Sequence, residues 1–115
     1  MRAIRPLLLV LAVGCVTSTV GGPVRAGELK DGVYEGEAKS FPNKAKVRVT
    51  VRRGRIFDVE IVSHFASGIG HRADAVIPGR IVEKQSTAVD AVTGATNSSR
   101  VIMNAVEVAL KDARR

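Results

Sequence analysis

Residues 45–61 restrict this chain more than any other stretch. Val47, Val49 and Val51 alternate with Lys46, Arg48, Thr50 and Arg52, the period-two pattern of a strand with one face in a core. Arg53-Gly54 follows as a hairpin turn signal, and Phe57, Val59 and Ile61 then alternate with Asp58 and Glu60. Paired antiparallel, the basic outer face of one strand meets the acidic outer face of the next. Such cross-strand pairs contribute roughly 0.2–1 kcal/mol each. A further strand is predicted over Val33–Phe41. It places Tyr34, Gly36 and Ala38 on one face and Val33, Glu35, Glu37 and Lys39 on the other, before a turn at Pro42-Asn43. A meander that is apolar on one side only needs a second layer.

The end of the chain supplies that layer. Over Ser99–Ala113, Ile102, Ala105, Val106, Ala109 and Leu110 form one stripe at helical spacing, and Val101 and Val108 widen it. Glu107 and Lys111 stand as an i, i+4 pair on the wet face, and Asn97, Ser98 or Ser99 can serve as N-cap. Between sheet and helix, Ser63–Gly70 reads as a loop carrying His64, Ser67, Gly68 and Gly70. His71–Ile77 reads as a short helix interrupted by Ile77-Pro78-Gly79. Arg80–Gln85 reads as another helical turn or two, and Ser86–Ala95 as turn-rich. The expected fold class is α+β: a small antiparallel β-meander with helices packed on one face and a long C-terminal helix.

The first 26 residues read as an export signal rather than as fold. Arg2 and Arg5 give a positive start, and Leu7–Val13 is an apolar run too short to span a bilayer. Two processing routes compete: cleavage after Val24-Arg25-Ala26, or lipidation of Cys15 in the lipobox-like Ala12-Val13-Gly14-Cys15. Either of these, or a third outcome in which the stretch stays as an uncleaved anchor, places the domain, residues 27–115, outside the cytoplasm, soluble or membrane-anchored. Cys15 is the only cysteine, so that domain has no disulfide and no thiol nucleophile. The net charge of +7 falls to +4 without Arg2, Arg5 and Arg25. One Tyr and three Phe leave no aromatic-interleaved basic stripe, which excludes nucleic acid as a partner.

The chemistry-bearing run is Asp90-Ala91-Val92-Thr93-Gly94-Ala95-Thr96-Asn97-Ser98-Ser99. Gly94 permits a turn that other residues resist, and Ala95 is small enough for a ligand to come close. Four hydroxyls gather at the start of a helix, whose free N–H groups and partial positive charge favour an anion such as phosphate. On the residues alone this is an anion site or an ordinary Ser/Thr helix cap. His64 and His71 stand seven apart with no Cys and no clear third ligand, so no metal site is expected. Tyr34 reads as core packing.

Asp90-x-x-Thr93-Gly94-Ala95-Thr96 resembles the flavinylation motif of the FMN-binding domain family. Asp31-Gly32-Val33-Tyr34-Glu35-Gly36 is similar to that family's opening strand, and Ile77–Ser86 resembles the stretch before its motif. The family occurs in subunits of the sodium-pumping NADH:quinone oxidoreductase and the Rnf complex, and in small extracytosolic electron-transfer proteins. The resemblance implies that Thr96 accepts FMN as a phosphoester, delivered from FAD by a magnesium-dependent flavin transferase. It implies recognition and shaping roles for Asp90 and Gly94, with Thr93 ordering the loop by hydrogen bonding. Ala95, Asn97, Ser98, His64 and Gly68 complete the expected cofactor surroundings. The implied activity is electron transfer between redox partner proteins, some of them membrane-bound. Two alternatives stay open: a small flavin-dependent reductase, with His64 as its acid, and a binding module that is never flavinylated.

Overall fold

A computed structural model of the chain describes residues 21–25 and 27–114. Residues 1–20 of the predicted leader, with Arg2, Arg5, Leu7–Val13 and Cys15, lie outside the described residues, as does Ala26, whereas Pro23 bridges Ser86 and the Val24 N–H donates to the Gln85 carbonyl. Strands β1 (Gly32–Ser40), β2 (Asn43–Arg52) and β3 (Arg55–Phe65) form one antiparallel sheet in the order β1-β2-β3. A 3₁₀ segment (Ile69–Ala75) and helices α1 (Ile77–Lys84) and α2 (Thr96–Ala113) follow. The α+β meander with a long final helix is therefore observed. Among the described residues no helix is long and apolar enough to cross a membrane.

The Arg53-Gly54 turn forms where alternation places it, with both residues at positive φ (55° and 75°), the geometry that matches strand twist in two-residue hairpins. The carboxylate of Asp31 accepts both of its backbone N–H groups, from Arg53 at 3.1 Å and Gly54 at 3.0 Å. On the outer face, Arg48 donates to Glu35 and Glu60 on the flanking strands. These partners, Glu35 first, raise its pKa above the usual arginine value.

Simple alternation fails twice in β3, each time at a bulge. Thr50 pairs with Asp58 but Val51 with Ile56, so Phe57 is the extra residue. Ile56 is buried in its place, while Phe57 faces out beneath the guanidinium of Arg52, 4.3 Å from the ring centre. The expectation that Phe57 is core is corrected; Val59 and Ile61 keep the inner face. Lys46 pairs with Ser63 but Val47 with Ile61, so Val62 is the second extra residue. Beyond it the parity shifts, and His64 comes opposite the buried Ala45. His64 thus belongs to the end of β3, not to a loop.

Helix α2 lies across the inner face of the sheet. A methyl group at Gly36 would stand 2.2 Å from the carbonyl oxygen of Ala105 and 2.4 Å from the nitrogen of Ala109. Strand and helix backbones therefore meet where only glycine fits. The stripe Ile102, Ala105, Val106, Ala109 and Leu110 is buried, and Val101 joins it, but Val108 remains 39% exposed. Glu107 does not pair with Lys111 as expected. It turns to Arg114 at 2.6 Å and accepts from the Thr87 hydroxyl at 3.0 Å. Arg114 also holds Glu28 at 2.6 Å, and Leu29 is fully buried beside this clamp.

Two helix boundaries also differ from expectation. Pro78 sits in the first turn of α1 and begins that helix instead of interrupting one, because a first-turn residue has no intrahelical N–H bond to lose. The preceding helical turns are 3₁₀ and start at Ile69. Helix α2 starts at Thr96, with Ala95 in the cap position and no side-chain cap hydrogen bond. Asn97, Ser98 and Ser99 are inside the helix, so none is the N-cap.

Candidate functional site

The run from Asp90 to Ser99 wraps the amino end of α2 and is held from behind. Arg80 of α1 donates to the carbonyl of Asp90 at 2.7 Å and, more weakly, to that of Ala91 at 3.5 Å. The hydroxyl of Ser99 accepts from the Val92 N–H at 3.0 Å and donates to the Ala95 carbonyl at 2.7 Å. Gly94 turns the chain at φ +84°, a conformation costly for any residue with a Cβ. Ser99, not Thr93, orders the loop. Thr93 is exposed, and its hydroxyl makes no hydrogen bond among the described residues. The Asp90 side chain faces solvent.

This bracing leaves Thr96 outward. It is exposed on the first turn of α2 and lines an open cavity of about 360 Å³ with Gly94, Ala95, Asn97, Ser98, Asn43, Ser67, Ile69 and Gly70. The wall opposite the motif comes from the 3₁₀ segment. A methyl group at Gly70 would stand 2.4 Å from the Ser98 hydroxyl oxygen, so glycine lets this wall close onto α2. Ser98 is buried and donates to Asn43 Oδ1 at 3.1 Å, tying α2 to the start of β2. At the same end Phe41, Phe65 and Ile69 are 98%, 68% and 52% exposed.

The chemistry of this surface suits a flavin nucleotide. The uncapped first-turn N–H groups of an eighteen-residue helix favour a phosphate. Asn43, Asn97 and Ser98 offer polar contacts, and the apolar rim suits a planar ring. Thr93, Gly94, Ala95, Thr96, Asn97 and Ser98 all fall in or beside the cavity. Four expected residues do not line it: Asp90, Thr93, Gly68 and His64. Gly68 is exposed between the wall residues Ser67 and Ile69. His64 turns its Nδ1 to Asp74 Oδ1 at 2.5 Å, with its side chain 1% exposed. Tyr34 is partly buried and donates its hydroxyl to the carbonyl of Lys30 at 2.8 Å, well down β1 from the cavity.

Sequence reasoning missed Asn43 and the bracing role of Arg80. A polar residue after a proline reads only as a turn. Arg80 acts across a fold contact that no local pattern reveals.

Residues 41–111 match the FMN-binding domain family model. An uncharacterized protein of Treponema pallidum (strain Nichols) is 42% identical over 89 residues, which cover 73% of this chain and 24% of that protein. The chain thus spans about a quarter of the length of that relative. The crystal structure of the CPE2226 protein from Clostridium perfringens superposes with a TM-score of 0.60 at 26% identity, covering 74% of this chain and 88% of the other. A match over more than half of the chain, in a range that includes the braced motif at the head of α2, establishes that this protein is a flavin-binding module and belongs to the FMN-binding domain family.

Proposed function

We propose that this chain carries FMN covalently, as a phosphoester on Thr96, and passes electrons between partner proteins outside the cytoplasm. The observation that carries the reading is the position of Thr96. Thr96 is exposed and lines the cavity from the first turn of α2, just after a loop fixed by Arg80 and Ser99. Bound flavin supplies the redox chemistry, while the protein supplies position and electrostatics.

Attachment is a substitution at phosphorus. The Thr96 oxygen forms a bond to the phosphorus of the FMN half of FAD, the pyrophosphate P–O bond breaks, and AMP leaves. The hydroxyl proton passes to a base. Among the described residues the Thr96 hydroxyl has no hydrogen-bond partner, and an unactivated hydroxyl is a weak nucleophile. A separate transferase therefore brings base and magnesium. Gly94 and Ala95 leave room for it to approach, and exposed Asp90 is a recognition handle.

A carrier fits better than a reductase. The one acid considered for hydride chemistry, His64, is buried and engaged with Asp74. Transient electron transfer needs only small contacts, for which this open end leaves room.

The test is in-gel fluorescence and intact mass of denatured protein coexpressed with an active flavin transferase, wild type against Thr96→Ala. Wild type gains one FMN and keeps its fluorescence after denaturation; Thr96→Ala gains none. Fluorescent Thr96→Ala would move the attachment elsewhere, and wild type without added mass would remove the covalent reading altogether.

A further inference from the structure

The end of β3 and the 3₁₀ segment bring together three side chains that the flavin site does not use. His64 Nδ1 faces Asp74 Oδ1 at 2.5 Å, and His71 Nδ1 faces Asp74 Oδ2 at 3.0 Å. The two rings stand 5.1 Å apart, edge to face at 68°. One donor atom from each of the three residues lies within 4.8 Å of the others. Asp74 is the third ligand that the histidine spacing alone does not show.

Hydrogen bonding explains part of this cluster but not its burial. An aspartate can accept from two imidazoles, and His71–Asp74 alone would be an ordinary i, i+3 surface pair. His64 is different. Its side chain is 1% exposed, and its Nε2 is buried with no hydrogen-bond partner among the described residues. That nitrogen is not one of the converging donors; what marks the cluster is that two imidazole Nδ1 atoms, one of them on the buried His64 ring, converge on a single carboxylate.

We infer that His64, His71 and Asp74 form a binding site for one divalent transition-metal ion of the zinc class. Two imidazole nitrogens and one carboxylate oxygen are a donor set for such ions. Magnesium and calcium, which ask for more oxygen ligands, fit it poorly. Around tetrahedral zinc, ligand atoms stand about 3.3 Å apart. The observed 2.5 and 3.0 Å separations run to different oxygens of Asp74, and the three donor atoms lie within 4.8 Å of one another, so side-chain rotations bring them around one ion that replaces the shared protons. His71 and Asp74, 45% and 29% exposed in their side chains, give the ion access and leave a fourth position toward solvent. The ion would clip the end of β3 to the 3₁₀ segment, whose Ile69 and Gly70 wall the Thr96 cavity.

The test uses the full chain without an affinity tag, stripped with chelator and titrated with Zn²⁺, and with Mg²⁺ for comparison, in an isothermal calorimeter. Wild type binds one Zn²⁺ per chain and ignores Mg²⁺ under the same conditions. His71→Ala and Asp74→Asn each weaken Zn²⁺ binding at least about tenfold, with unchanged far-ultraviolet circular dichroism. Should either variant fail to fold, ring ¹⁵N NMR of wild type decides: Zn²⁺ shifts the Nδ1 resonances of both histidines. No saturable Zn²⁺ binding by wild type, equal affinity in the folded variants, or unshifted Nδ1 resonances each overturn the site. None of these outcomes bears on Thr96, whose flavin load is measured separately.

Discussion

The two ends of the sheet are built on opposite terms. At the hairpin end, polar backbone groups are taken up by side chains. Asp31 caps the Arg53-Gly54 turn. Gln85, itself at φ 51°, accepts from the Ile56 N–H and donates to the carbonyls of Ile56 and Val82. Nine residues along β2, the other end leaves Thr96 and Asn97 exposed, the α2 amino end without a side-chain cap, and Phe41, Phe65 and Ile69 uncovered. The hairpin end is closed in the sense that its backbone groups find partners within the chain, although a hollow lined by Arg52, Arg53, Arg55, Ile56, Phe57 and Val82 opens beside it. On the proposed function, the other end gives up local satisfaction so that a phosphate and a ring can supply it, and fixes the loop from behind instead.

Both ends hang from the seam between β1 and α2, and the largest effect is expected there. Gly36→Ala places a methyl group 2.2 Å from a backbone oxygen, so helix and strand must part. We expect a loss of at least about 3 kcal/mol in urea unfolding, and flavin loading that fails because the fold does. A stable, fully loaded Gly36→Ala would mean that the seam is not what holds the ends in register.

Gln85→Leu tests the closed end. It removes three hydrogen bonds and strands the Ile56 backbone groups, at a cost of about 2 kcal/mol, or roughly 10 °C in Tm for a domain of this size. Flavin attachment measured well below Tm stays at the wild-type level. If loading fell in step with stability, the two ends would be energetically one unit.

Gly94→Ala reverses the balance. The strain of a side chain at φ +84° costs about 1–2 kcal/mol, less than Gln85→Leu. Yet the turn it deforms presents Thr96, so the rate of flavin loading falls far more than stability does. Equal loading rates for Gly94→Ala and wild type would show that the transferase reads the motif without its turn.

The same contrast explains what the sequence made legible. The hairpin and the α2 stripe obey local periodicity, and both were readable from Val47, Val49, Val51 and the spacing of Ile102 to Leu110. The motif, too, stands in one continuous run. What escaped depends on contacts between distant segments. Two bulges, invisible to a count of alternation, exchange Phe57 for Ile56 in the core and carry His64 inside. Asn43 joins the cavity because Ser98 arrives beside it from 55 residues away. Glu107 passes over Lys111 because a guanidinium at Arg114 with a second carboxylate nearby offers a better-ordered partner. Pro78 was misread because proline in a first turn and proline as a breaker look alike until the helix start is fixed.

The smallest expected effect lies in that clamp, at the closed end. Glu28 accepts from the Arg25 backbone N–H at 2.9 Å and from the Arg114 guanidinium at 2.6 Å. These bonds, the backbone one first, hold its carboxyl below the usual carboxylate pKa. A lowered folded-state pKa means that the charged form favours the fold. The contribution is therefore complete above the ordinary carboxylate range and is lost as pH falls through the folded value. Glu28→Gln keeps the shape and removes the charge. Because the pair is partly exposed, the loss at pH 7 is a fraction of a kcal/mol, read as a small shift of the urea midpoint. At pH 3 the shift between variant and wild type should shrink toward zero, with flavin loading unaltered at either pH. A difference that stayed constant with pH would assign the effect to packing around Leu29 rather than to charge, and would make the closed end a matter of core burial alone.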